Sequence, residues 1–192
     1  MISYSLHLSN KKHALTTTKK VAAASKHNLR QYESPQYCRD NIFVLVGGDN
    51  ILDDLKNAYH QEFDACLEEY NKGKRADRQI DDYLKYVSES GKNDVAAELV
   101  IQLGDAEFWH DKPLEIKRQM LPIFEDQLKH LQELVPDFRI VSAVVHLDEH
   151  SPPCSCDRSS DWTGIQARYA KASSEDKSLH ARDTYRASGQ DA

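Results

Sequence analysis

Phe138–Pro153, FRIVSAVVHLDEHSPP, is the stretch on which the reading of this chain turns. Its first half alternates and then runs apolar through Ile140, Val141, Ala143, Val144 and Val145, the pattern of a buried strand. His146, Asp148, Glu149 and His150 follow at once. A period of two puts His146 and Asp148 on one face, with Leu147 and Glu149 on the other. Groups at a strand end are held rigidly while open to a ligand, which suits metal binding or acid/base chemistry. The plainer alternative is a polar turn leaving a strand, with His146 capping the sheet.

Working outward, Pro113 opens a helix whose apolar positions are Met120, Leu121, Phe124, Leu128 and Leu131. Pro122 interrupts it, predicting a kink or two abutting helices. Ala96–Leu103 reads as a strand. A helix with Ile80, Tyr83, Leu84 and Val87 stops near Gly91, and a longer one runs from about Asp49 to Asn71. The stripe of that longer helix is Ile51, Leu55, Tyr59, Phe63, Cys66 and Tyr70. Ile42–Val46 is a buried strand closed by Gly47 and Gly48. Thr16–His27 is a helix with threonines available as caps, and Ile2–Leu8 alternates as a first strand. The order β, α, β, α, α, β, α, β predicts an α/β fold, an antiparallel-rich mixed sheet with packed helices.

A chain of 192 residues with 40% hydrophobic content supports one medium domain and leaves part of the chain unpacked. That part is expected from Cys154 to Ala192, which has no valine and is rich in serine, aspartate and arginine. Residues 1–153 form the domain and 154–192 a disordered tail. Cys38, Cys66, Cys154 and Cys156 lack zinc-finger spacing, although Cys154 and Cys156 make a minor candidate for a soft metal. With no signal peptide and no membrane-length apolar run, the expected location is the cytoplasm.

The net charge of −6 hides an asymmetry. Up to Arg30 there are six basic residues (Lys11, Lys12, Lys19, Lys20, Lys26 and Arg30) and no acidic one. A positive arm on an acidic body points to a local polyanion contact, with a solvated face as the alternative.

VVHLDEHSP resembles the H-x-D-E-x-x-P-H-x-H signature of the Mob/Pre (MobV-type) plasmid mobilisation relaxases, and Lys26-His27-Asn28-x-Arg30 resembles that family's K-H-N-x-R segment. The resemblance implies a relaxase-like domain over residues 1–153. It also implies metal-dependent single-strand nicking of plasmid DNA at a transfer origin through a covalent 5′-phosphate–histidine intermediate. It makes His27 the nucleophile, Glu149 the base that activates it, His146 a metal ligand and Asp148 a metal-site or ligand-orienting carboxylate. Manganese or magnesium is the implied cofactor, and single-stranded transfer-origin DNA the partner, held by Lys11, Lys12, Lys19, Lys20, Lys26 and Arg30. A divalent cation neutralises a phosphodiester's oxygens, a carboxylate helps keep an attacking imidazole neutral, and a cationic arm concentrates phosphates.

The chain departs from the signature where it matters chemically. Pro153 and Ser155 stand where the family places histidines. Proline has no ligand atom and serine is a poor one. A one-nucleotide insertion near the codons for Pro152 and Pro153 accounts for both changes and for the foreign composition beyond them. One nucleotide over, the codons of Pro153 and Ser155 admit histidine, and Trp162 before Thr163 forces glycine. The chain is then a truncated, frameshifted relaxase, short of a central strand and catalytically impaired. A non-catalytic DNA-binding α/β module and a plain α/β scaffold are the other readings.

Overall fold

The computed structural model describes residues 4–8, 14–35, 38–148 and 164–171, with backbone alone for 4–8, 106 and 164–171. In chain order the elements are β1 (Tyr4–Leu8), α1 (Thr18–Asn28), β2 (Ile42–Val46), α2 (Ile51–Asn71), α3 (Tyr83–Ser90) and β3 (Ala97–Leu103). After these come α4 (Ala106–Trp109), α5 (Leu114–Arg118), α6 (Leu121–Leu134), β4 (Phe138–His146) and β5 (Gly164–Lys171).

Local chemistry sets the helix boundaries. The Thr17 side chain accepts from the Lys20 amide to start α1, Asn50 does the same for Leu52 in α2, and Asp82 caps α3 through Lys85. Asp82 therefore starts α3 later than Ile80. The α2 stripe is buried from Ile51 through Leu55 and Tyr59 to Phe63, but Cys66 is exposed, so the last turns run beyond the core. Pro122 resolves into two abutting helices: it sits in the first turn of α6, where its missing amide leaves no bond unmade. Sequence reading did not anticipate α4, a single turn capped by Asp105.

The strands form one sheet in the order β1-β3-β5-β4-β2, every neighbouring pair antiparallel. This corrects two expectations over part of the tail. Gly164–Lys171, within the stretch expected to be disordered, is β5, and it occupies the central place that the chain was expected to lack. Composition averaged over 154–192 conceals this short segment. Its GIQARYAK alternates Ile165, Ala167 and Tyr169 with polar or small residues, and its backbone pairs with strands on both sides.

Helices cover both faces. On one, α1, α2 and α3 bury Val21, Leu55, Phe63 and Leu84 against Val141 and Val144. On the other, Phe124 and Leu128 of α6 pack on Leu99, Ile101, Ala143, Val145 and Leu147. Alternation along β4 therefore puts Leu147 in the α6 core and leaves His146 on the opposite face, beside α1. At the far end of β2 the chain turns sharply at Gly47 (φ +89°), where a Cβ would lie 2.9 Å from the Val141 carbonyl oxygen. Among the described residues no helix is long and apolar enough to cross a membrane.

Candidate functional site

The two motifs, far apart in sequence, meet at the C-terminal ends of α1 and β4. The stop of α1 makes this possible. The Gln31 amide donates to the Lys26 carbonyl (2.9 Å) and the Arg30 amide to the His27 carbonyl (3.2 Å), the paired bonds of a Schellman ending. That ending needs a left-handed residue, usually glycine, and here Arg30 takes it with φ 48°. The reversal carries the Arg30 side chain inward. Its Nε donates to Asp148 Oδ2 (2.9 Å), its Nη2 to Asp148 Oδ1 (3.2 Å) and its Nη1 to the His27 carbonyl (3.1 Å). The Cys38 amide also donates to Asp148 Oδ2 (3.1 Å). Both charged side chains are almost wholly excluded from solvent, at 1% and 0% exposure.

His146, 2% exposed, completes the junction: its Nε2 lies 2.8 Å from the Asn28 carbonyl oxygen. A carbonyl only accepts, so Nε2 carries the hydrogen, and in the neutral ring the lone pair lies on Nδ1. Lys26–Arg30 is thus fastened to His146–Asp148 by side chain and backbone together. On the sheet side, β2 pairs Ile42 with His146, and the Leu147 amide donates to the Asn41 carbonyl (2.9 Å).

His27 is half-buried beside this junction, and its Nδ1 lies 2.8 Å from the Tyr32 hydroxyl, the two rings stacked at 6.3 Å. An adjoining cleft of about 420 Å³ is lined by Arg30, Gln31, Tyr32, Glu33, Ser34 and Arg39. On α1, Lys19 and Lys26 are exposed and two turns apart, within about 20° on one face. Lys20 is also exposed but donates through Nζ to the Ala14 carbonyl (2.9 Å). The opposite face, with Val21, Ser25 and Asn28, is buried, and Ser25 Oγ accepts from the Ile51 amide that opens α2.

Arg30, which the basic run of the sequence puts among the phosphate contacts, is instead turned inward. Its guanidinium is buried and engaged by Asp148, so it organises the site from within. Asn28, already part of the K-H-N-x-R segment, enters the junction through its backbone carbonyl rather than its motif side chain, while Tyr32 and Arg39, which line the adjoining cleft, follow the helix in an irregular stretch that no motif singles out. Lys11, Lys12, Glu149, His150, Pro152, Pro153, Cys154, Ser155 and Cys156 lie outside the described residues.

A divalent cation fits this donor set at one position only. A metal-bound histidine commonly donates its other N–H to a carbonyl, which is what His146 does. Asp148, however, has both oxygens engaged by Arg30, and among the described residues no three His, Cys, Asp or Glu side chains come together to hold a metal ion. A cation site is therefore not assembled by these residues.

Comparison with known proteins gives three findings. The family described as plasmid recombination enzyme (Mob_Pre) matches residues 11–186. No curated protein matches. Two solved structures of the MobM relaxase domain (MOBV; Mob_Pre), both Mn-bound and on plasmid pMV158 oriT DNA, are similar to this chain at 17% identity and a TM-score of 0.47. One carries 22 nucleotides at pH 5.5 and the other 22 nucleotides with a 3′-thiophosphate at pH 6.8; each match covers 90% of this chain and 75% of the other.

Proposed function

Because this chain belongs to the Mob_Pre family of plasmid recombination enzymes, we propose that it binds single-stranded DNA at a plasmid transfer origin as a relaxase-type mobilisation protein with impaired nicking. The observation that carries this reading is the docking of Lys26–Arg30 onto His146–Asp148. Two segments with no local reason to meet are joined by a buried ion pair and a histidine–carbonyl bond, which sets His27 beside the end of β4.

In this reading Lys19 and Lys26 take backbone phosphates from one face of α1, and Arg39 and the exposed Tyr32 ring offer a cation and a stacking surface in the adjoining cleft. His27 is the nucleophile and Glu149 its base. Asp148 and Arg30 are positioning residues that fix the turn after α1. The impairment follows from Pro153 and Ser155, which stand at the signature's histidine positions and bring no imidazole there. Manganese or magnesium, the family's implied cofactor, would meet one imidazole at His146.

The test uses the whole chain and labelled single-stranded transfer-origin oligonucleotides, with manganese or magnesium, across a salt series. The expected result is salt-dependent binding, slow nicking and a trace DNA adduct found by mass spectrometry and lost in His27→Ala. Binding with no adduct at all favours the non-catalytic DNA-binding reading. No binding at low salt overturns the proposal, and rapid turnover overturns the impairment.

A further inference from the structure

We propose that the outer edge of β2 is a self-association surface, on which a second copy of this chain pairs antiparallel to form a two-fold dimer. β2 ends the sheet order β1-β3-β5-β4-β2, and among the described residues no strand pairs with its far side. The direction of its backbone groups follows from one bond. The Leu147 amide donates to the Asn41 carbonyl, so Asn41 and, by alternation, Phe43 turn their backbone groups toward β4. Ile42 and Val44 turn theirs outward. The Ile42 amide is taken up by the Arg39 carbonyl. What remains on the open edge is the Ile42 carbonyl with the Val44 amide and carbonyl.

That edge fits its own copy. With the two-fold axis at Phe43, each Val44 amide donates to the Ile42 carbonyl of the other copy. The Phe43 rings then meet across the axis at a non-hydrogen-bonded position, where facing side chains come closest. This register keeps clear of the bulge between Val44 and Val46. From Asn41 to Gly48 there is no charged residue and no proline, so the strand does not repel its own copy and lacks the residues that usually protect an edge. Val44 is 42% exposed on the face it shares with Ile42, so the helices covering that face stop short of the edge. Two five-residue strands side by side bury on the order of 1,000 Å² in total, the lower limit for a specific interface, so the dimer is a weak one. The contact is isologous and closes at two copies. An axis normal to the sheet keeps both α1 faces on one side, with the two His146 residues about 16 Å apart.

The test is sedimentation velocity of the whole chain without DNA, from about 1 to about 300 µM, in wild type and three variants. Val44→Pro removes the donating amide; that amide points away from β4, so the sheet loses no bond, and an edge strand accepts proline there. Val44→Lys leaves the backbone intact and sets a cation against its own copy. Leu134→Lys, at a position on α6 that is 79% exposed, is the control on a different surface. Circular dichroism establishes that each variant is folded. Wild type is expected to dimerise with a dissociation constant on the order of tens of micromolar. Both Val44 variants should weaken association at least about tenfold, and Leu134→Lys should leave it unchanged. A wild type that stays monomeric over the whole range overturns the proposal. So does a dimer that either folded Val44 variant leaves intact, or one that Leu134→Lys weakens as much.

Discussion

Arg30 and Asp148, 118 residues apart, form a two-pronged ion pair buried between the end of α1 and the end of β4. Arg30 reaches it from a left-handed backbone (φ 48°) that normally selects glycine. A side chain that holds so unfavourable a position must return more than the strain costs, and the buried pair together with the His27 carbonyl is what it returns.

This gives an unusual ordering of variants. Arg30→Ala leaves Asp148 charged, buried and short of its partner, so about 3–5 kcal/mol of stability is lost. Arg30→Gly loses the same pair but relieves the left-handed strain, and is expected to be more stable than Arg30→Ala by about 1–2 kcal/mol. Urea unfolding of the two variants decides it; an alanine variant as stable as the glycine one would mean the turn is not strained.

Asp148→Ala is the reciprocal change. It strands the guanidinium, leaves the Cys38 amide without its acceptor and releases the turn that carries His27 and Tyr32. A loss of about 3–5 kcal/mol is expected, along with a broadened His27 signal in ¹⁵N–¹H correlation spectra of the histidine-labelled chain. The paired replacement Arg30→Met with Asp148→Leu is expected to be milder, because no uncompensated charge remains buried.

Just past the end of β2, Gly47→Ala meets both a positive φ and the Val141 carbonyl at 2.9 Å from the new Cβ. The strand–helix turn between β2 and α2 is then strained, at a cost of about 1–3 kcal/mol. Gly48, whose Cβ would meet only the Asp54 carboxylate at 3.5 Å or more, is the control, and its alanine variant is expected to melt near wild type.

Ser142 lies on β4 with its hydroxyl fully buried and, among the described residues, without a hydrogen-bond partner. Removing that oxygen removes an unmet desolvation penalty, so Ser142→Ala is expected to raise stability by about 1 kcal/mol. A fall in the denaturation midpoint would mean that the hydroxyl has a partner.

Much of this architecture was legible from periodicity. Ile42–Val46 is found as read, and Ala97–Leu103 and the helix from Ile51 differ from their expected limits by a residue or two, because apolar spacing and capping residues act locally. The shared face of His146 and the α1 terminus follows from strand alternation. The Arg30–Asp148 pair was not legible, since a charged residue in a basic run looks like a phosphate contact until a tertiary partner is seen. β5 was hidden for a different reason. Its pattern is short and weakly apolar, and its pairing with β3 and β4 is a long-range fact that no local window contains.

The same distinction governs the proposed DNA binding. With Arg30 engaged internally, the cations that α1 offers a strand are Lys19 and Lys26 on one face, with Lys20 turned to the Ala14 carbonyl. Each phosphate neutralised on a single strand contributes about 0.7 to the slope of log affinity against log salt. Lys19→Ala with Lys26→Ala is therefore expected to flatten that slope by about 1.4, while Lys20→Ala changes it less. All three are solvent-exposed, so thermal stability should stay within about 0.5 kcal/mol of wild type. Fluorescence anisotropy with a single-stranded oligonucleotide measures the slopes. An unchanged slope in the double variant would remove α1 from the DNA interface, and an equal effect from Lys20→Ala would mean that its bond to Ala14 gives way when DNA arrives.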